Sequence, residues 1–171
     1  ELGKQRDTVV VSFSRTMHPY LNILKQLAES LKIDAPMKDL EKELIQVAFN
    51  HVRDRKILYT VIDEAHLLDM AVLRKLRLLF DRFPKKHNLV LLGQRDLFYY
   101  LSMVANEDIK SRITYSSTIL PLNDHDLEHY ITSELEAARL GIHTFDPAAT
   151  EVILRAAQGN LRLCRNLCYG S

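Results

Sequence analysis

Apolar positions change rhythm repeatedly along the first 122 residues, and each change marks an element. "DTVVVSFS" (7–14) is an unbroken β-branched run, the pattern of a strand covered on both faces. From Pro19 the spacing lengthens: Leu21, Leu24, Leu27, Ala28 and Leu31 recur every three or four residues and predict a helix. "DAPM" (34–37) interrupts it, and a second helix from Lys38 carries Leu40, Leu44, Val47, Ala48 and Val52 inward. "ILYTVI" (57–62) is the next buried strand. Asp69 is placed to cap a helix over 70–83 with Leu73, Leu76, Phe80 and Phe83 on its inner face. "NLVLLGQ" (88–94) predicts a third strand, 96–105 a helix, and "ITYSSTILPL" (113–122) a fourth strand.

Strands alternating with helices predict an α/β fold, a parallel sheet flanked by helices. After Pro121 the pattern is helical only. Asn123 with Asp126 resembles a capping box. The helix that follows points Leu127, Tyr130, Ile131, Leu135 and Ala138 inward and can end at Gly141. Asp146-Pro147 caps and opens a second helix. Gly159-Asn160 ends it and starts the last, "LRLCRNLC" (161–168). The expected division is an α/β core over 1–121 and a small all-helical appendage over 122–171.

Composition narrows the class. The 171 residues are 47% hydrophobic and 26% charged, as in a soluble globular chain, and suffice for one sizeable core or for one domain plus a small appendage. The net charge of +1 argues neither for nor against a nucleic-acid partner. No apolar run nears the ~18 residues of a membrane span, and no signal peptide is visible. Cys164 and Cys168 lie one helical turn apart with no other cysteine. They read as two reduced thiols, and the location expected is the cytoplasm.

In a parallel sheet, ligands gather at the carboxyl ends of the strands. The second predicted strand ends there in Asp63-Glu64. A carboxylate at that place can help hold Mg²⁺, which prefers oxygen ligands and bridges phosphates. Its neighbour can orient or deprotonate a water that attacks a γ-phosphate. An apolar strand ending in Asp-Glu is the Walker B pattern. The plainer alternative is an acidic strand end, or an acid capping the next helix.

With its surroundings, "VIDEAHLLD" (61–69) resembles the Walker B segment of AAA+ ATPases, most closely the ExeA-type secretion ATPases and the related TniB- and MuB-type transposition ATPases. "LVLLGQRDL" (89–97) is similar to the sensor 1 strand of that branch, "IKSRI" (109–113) to the Ser-Arg of clamp-loader relatives, and "AAQGNLRLCRNLC" (156–168) to the sensor 2 motif of the helical lid. The resemblance spans essentially the whole chain. It implies ATP and Mg²⁺ as cofactors, with Asp63 on the metal and Glu64 on water. Gln94 and Arg162 would face the γ-phosphate, and Arg112 would act as a finger in a neighbouring subunit. The last helix departs from the family at Leu161, where a proline is usual, and matches at Asn166.

One part of the pattern is missing. No Gly-x-x-x-x-Gly-Lys-Ser/Thr occurs, and "LGKQRDT" (2–8) offers only Gly3-Lys4. "TVVVSFS" matches the second strand of the family. The chain therefore reads as an AAA+ core lacking its first, central strand and the phosphate loop. Such a sheet must close up, borrow a strand, or keep an edge open to association. The 171-residue chain is expected to hydrolyse ATP poorly by itself, the parent protein being the ATPase. The parent would couple ATP to assembly or remodelling of a secretion or DNA-transposition complex. Its partners would be further copies of itself, a secretion component or transposase, and double-stranded DNA.

Other signals give rival readings. Asp63-Glu64-Ala65-His66 is also motif II of a helicase superfamily, but Gly-Gln stands where those enzymes carry Ser-Ala-Thr. The bland reading of His66 is a polar residue on the approach to a helix. A degenerate, nucleotide-independent AAA+ scaffold is a further alternative. His125 and His129 share a helix face at zinc-binding spacing, without an evident third ligand. Arg74, Lys75, Arg77, Arg82, Lys85 and Lys86 form either a DNA-facing stripe or a solvated basic face.

Overall fold

The computed structural model describes residues 8–13, 19–141 and 143–170. The Gly3-Lys4 segment, and the expected strand ends Asp7 and Ser14, lie outside the described residues. The chain divides between Thr114 and Tyr115 into two compact units.

In the first unit, β1 (Thr8–Phe13), β2 (Ile57–Ile62) and β3 (His87–Leu91) form a parallel sheet in the order β1-β2-β3. Parallel neighbours need long crossovers. Helices α1 (Tyr20–Ser30) and α2 (Leu40–Arg53) connect β1 to β2, and α3 (Met70–Phe80) connects β2 to β3. Beyond β3 come α4 (Arg95–Ser102) and the single turn α5 (Glu107–Lys110). The core joins Leu24 and Leu27 of α1, Leu44 and Ala48 of α2, Leu58 and Ile62 of β2, and Leu73, Leu76 and Leu79 of α3. Leu27, Leu44, Leu58 and Leu76 are fully buried, each contributing about 2–3 kcal/mol.

Two expectations shift here. In α1 the inward face includes Ile23, while Leu21 is exposed. Asp69 does stand at the N-cap of α3 in an extended conformation, but its side chain accepts no capping hydrogen bond.

Residues 113–122 form no strand, contrary to the sequence pattern. Ser116-Ser117-Thr118 break the apolar alternation, and Ile113, Tyr115, Ile119 and Leu120 are all exposed. Among the described residues β3 pairs with β2 alone. The segment therefore has neither a ladder partner nor an apolar face to bury.

The second unit holds three helices, α6 (Asp124–Ala137), α7 (Pro147–Ala157) and α8 (Leu161–Gly170). Their starts follow the sequence. Asn123 Oδ1 accepts the Asp126 N–H at 2.8 Å, and Asp146 Oδ1 accepts the Ala148 N–H at 2.8 Å. Asn160 Oδ1 accepts the Leu163 N–H at 3.1 Å. Leu127, Ile131, Ile153, Ala157 and Cys164 form the core. Burial, then the neighbouring Cys168, pushes the Cys164 thiol up to about 11.

Helix α6 ends earlier than Gly141. Its left-handed residue is Arg139 (φ 58°), and the Leu140 N–H returns to the Leu135 carbonyl at 2.8 Å. The inward stripe ends at Leu135, and Ala138 is exposed, so longer helix would bury nothing. Gly159 does need to be glycine: its φ is +78°, and a Cβ there would collide with the Leu122 carbonyl.

At the start of β3, His87 stacks on Phe80 with ring centroids 4.6 Å apart. Its Nε2 shares a 3.2 Å hydrogen bond with the fully buried Thr60 hydroxyl. Burial pushes the His87 pKa down to about 4. An unfolded histidine takes its proton near 6.5. Between these values the unfolded chain binds the extra proton, so stability is complete above pH 6.5 and falls as pH drops towards 4. The loss should be on the order of 3 kcal/mol. Urea denaturation across this window should show it, and His87→Phe, which keeps the stack, should flatten most of the pH dependence.

Candidate functional site

The parallel register sets Phe13, Ile62 and Leu91 in one row across the carboxyl edge of the sheet. Past that row β2 and β3 remain tied. The Leu92 N–H donates to the Ile62 carbonyl at 2.9 Å, and the Ala65 N–H donates to the Leu92 carbonyl at 2.8 Å. The segment after β2, residues 63–66, is thereby stapled to the segment after β3, residues 92–94.

Asp63 and Glu64 emerge at this rim. Asp63 Oδ1 accepts the Glu64 N–H at 2.8 Å. Glu64 is left-handed (φ 54°, ψ 31°), which for a residue with a Cβ stores about 1–2 kcal/mol of strain. Such strain is common where function fixes the backbone. The Glu64 side chain is 48% exposed. Gln94 is exposed at the N-cap of α4. Three of the five expected site residues thus share one rim.

His66 links them, a contact the sequence pattern did not reveal. Its Nδ1 lies 3.5 Å from Glu64 Oε2 and 3.4 Å from the Gln94 backbone nitrogen. Gly93 permits this approach: a Cβ there would sit 3.1 Å from the His66 backbone nitrogen and 3.0 Å from a Leu97 methyl. A glycine directly after the β3 apolar run was the available signal.

A family model described as "AAA domain" matches residues 2–101, more than half of the chain. The chain belongs to the AAA domain family. Members of this family are in general ATPases. General secretion pathway protein A of Aeromonas hydrophila is 32% identical over 111 residues, 63% of this chain. The chain spans about a fifth (20%) of that relative's length. The AAA fold recurs in the Aeropyrum pernix ORC2 protein. Its ADPNP–ADP complexes superpose with a TM-score of 0.65 at 14% identity, over 94% of this chain and 45% of that one. Its ADP form gives 0.66 at 15% identity, with the same shares of each chain. At that identity the likeness concerns the fold alone.

The donor set at the AAA rim suits Mg²⁺. Asp63 spends Oδ1 on a backbone N–H and presents a second hard oxygen, and Mg²⁺ is usually held by one or two carboxylates with waters and phosphate oxygens. Among the described residues no three His, Cys, Asp or Glu side chains converge, so His125 and His129 have no third ligand. His125 is 89% exposed beside Asp126.

Arg112 is not gathered at the rim. Arg162 lies in the first turn of α8, exposed, in the second unit. Arg112 pairs with Asp81 Oδ2 at 3.4 Å. Because β2 and β3 are parallel, α3 runs back from the rim, and Asp81 follows its far end. Asp81 also receives Arg77 at 3.9 Å, and Asp108 receives Arg77 at 3.8 Å and Arg74 at 3.7 Å. Arg74 further donates to Asn106 Oδ1 at 2.8 Å. Arg82 pairs with Glu41 at 3.5 Å, and the Lys75 ammonium sits 5.7 Å from the Tyr20 ring centre. Four of the six basic residues around α3 are therefore engaged within the chain.

Replacing Gly93 with alanine should press on His66 and Leu97 together. The expected cost is about 1–2 kcal/mol in urea denaturation, with shifts confined to 63–67 and 92–97 in amide NMR spectra.

Proposed function

We propose that this AAA domain supplies part of an ATP-hydrolysing site in the full-length protein, the 171 residues by themselves hydrolysing ATP poorly or not at all for want of a phosphate loop, and that the whole protein couples the cycle to assembly or remodelling of a secretion complex. The observation that carries the reading is the rim itself: Asp63, Glu64 and Gln94 leave adjacent parallel strands at their carboxyl ends, in a chain of the AAA family. Similarity to a general secretion pathway protein favours secretion over DNA transposition.

In this scheme Asp63 holds the Mg²⁺. When bound, the ion would offset charge developing across the β- and γ-phosphates. Glu64 orients the attacking water and takes its proton. Gln94 and Arg162 contact the γ-phosphate, and arginine suits this because its charge is permanent and its fork matches phosphate oxygens. Arg112 serves the site of a neighbouring copy in a homo-oligomer. Its pair with Asp81 is exposed and worth about 0–1 kcal/mol, so releasing the guanidinium costs little.

The full-length protein tests this. Glu64→Gln should lower kcat by about 10²–10⁴ while nucleotide affinity stays near wild type. Arg112→Ala should lower kcat by about 10³. Mixing the two variants should restore part of the activity, because some interfaces then pair an intact Glu64 with an intact Arg112. A mixture that stays inactive removes the trans role. A Glu64→Gln protein at wild-type rate removes the site assignment, and a wild-type protein that retains no nucleotide leaves the scaffold reading in its place.

A further inference from the structure

His66 stands between the two strand ends that carry Glu64 and Gln94, and the scheme above leaves it unused. Its side chain is only 9% exposed, although it follows a surface turn. Two groups approach the same ring atom: Glu64 Oε2 at 3.5 Å and the Gln94 backbone nitrogen at 3.4 Å from Nδ1. One nitrogen cannot serve both. With the proton on Nε2, Nδ1 accepts the Gln94 N–H. With the proton on Nδ1, the ring donates to the Glu64 carboxylate.

We propose that His66 is the positioning residue for Glu64, its Nδ1 exchanging between the Gln94 N–H and the Glu64 carboxylate. The proposal rests on the reading of Glu64 as the residue that activates water. The ring proton leaves one nitrogen to solvent and a proton returns to the other, so the net charge of the site is unchanged. The backbone around the ring is fixed on both sides, by the Ala65–Leu92 hydrogen bond and by the close approach of Gly93. With its anchor fixed, the imidazole converts a small movement of Gln94 into release or capture of the Glu64 side chain. Gln94 opens α4 and is expected to meet the γ-phosphate, so capture of Glu64 reports on what stands at the end of β3.

Three substitutions in the full-length protein separate this role from packing. Asparagine places amide oxygen and nitrogen near the Nδ1 position, glutamine places them near Nε2, and alanine supplies neither. His66→Ala and His66→Gln should each lose about 10–100-fold in kcat, with the Kd for a fluorescent ATP analogue changed by less than about threefold. His66→Asn should stay within about threefold of wild type in kcat. In protein with ¹⁵N-labelled histidine, the His66 ring shifts should report two tautomers that collapse to one in Glu64→Gln. Equal kcat losses in His66→Asn and His66→Ala, at unchanged melting temperature, would overturn the proposal, as would a wild-type rate in His66→Gln. If His66→Ala fails to fold, the Asn–Gln pair decides. A wild-type protein without ATPase activity removes the hydrolysis reading, and the ring shifts then decide the His66 contacts: a single tautomer untouched by Glu64→Gln overturns them.

Discussion

Two backbone hydrogen bonds beyond the sheet hold the candidate site together, Leu92 to Ile62 and Ala65 to Leu92. Each is worth about 1 kcal/mol in net stability, but their larger effect is on register. A one-residue slip of β3 against β2 would carry Gln94 ~3.3 Å along the strand direction, out of line with Asp63 and Glu64, and turn its side chain to the other face. The apolar runs in β2 and β3 resist that slip, because Leu58 and Ile62 already lie in the core. Hydrophobic burial thus sets the register, and the register sets the spacing of the carboxylates and the amide.

The sequence was most readable where one force dominated. Unbroken apolar runs and spacings of three to four revealed the parallel sheet and its crossovers, but those runs promised strands covered on both faces, whereas Val10 and Ser12 of β1 are exposed and no residue of β3 is fully buried. The caps at Asn123 and Asp146 were readable because they are local. Residues 113–122 were misread because β-branched content says nothing about whether a neighbouring strand exists. The end of α6 was misread because Gly141 outweighed the earlier fading of the apolar stripe, and Arg139 took the left-handed position instead.

The same division holds at the site. Asp63, Glu64 and Gln94 were legible because strand ends in parallel sheets converge on one edge. His66 was not, since its contacts join positions 28 residues apart and depend on the left-handed turn at Glu64. The Asp81–Arg77 pair follows the i, i+4 rule and was within reach of the sequence. Asp108, which gathers Arg74 and Arg77 from another helix, was not. Residue types alone did not show that Arg74, Arg77 and Arg82 each have an acid beside them.

The buried thiol in α8 bears on how the second unit responds to its chemical surroundings. With burial pushing its pKa up to about 11, the Cys164 thiol stays protonated at neutral pH. Peroxides and alkylating agents attack the thiolate, so they meet almost none of the reactive form, and the packed core denies them entry besides. The cysteine therefore acts as a small apolar wedge in the core of the three-helix unit, and the partly buried Cys168 one turn away is the thiol that an oxidant meets first.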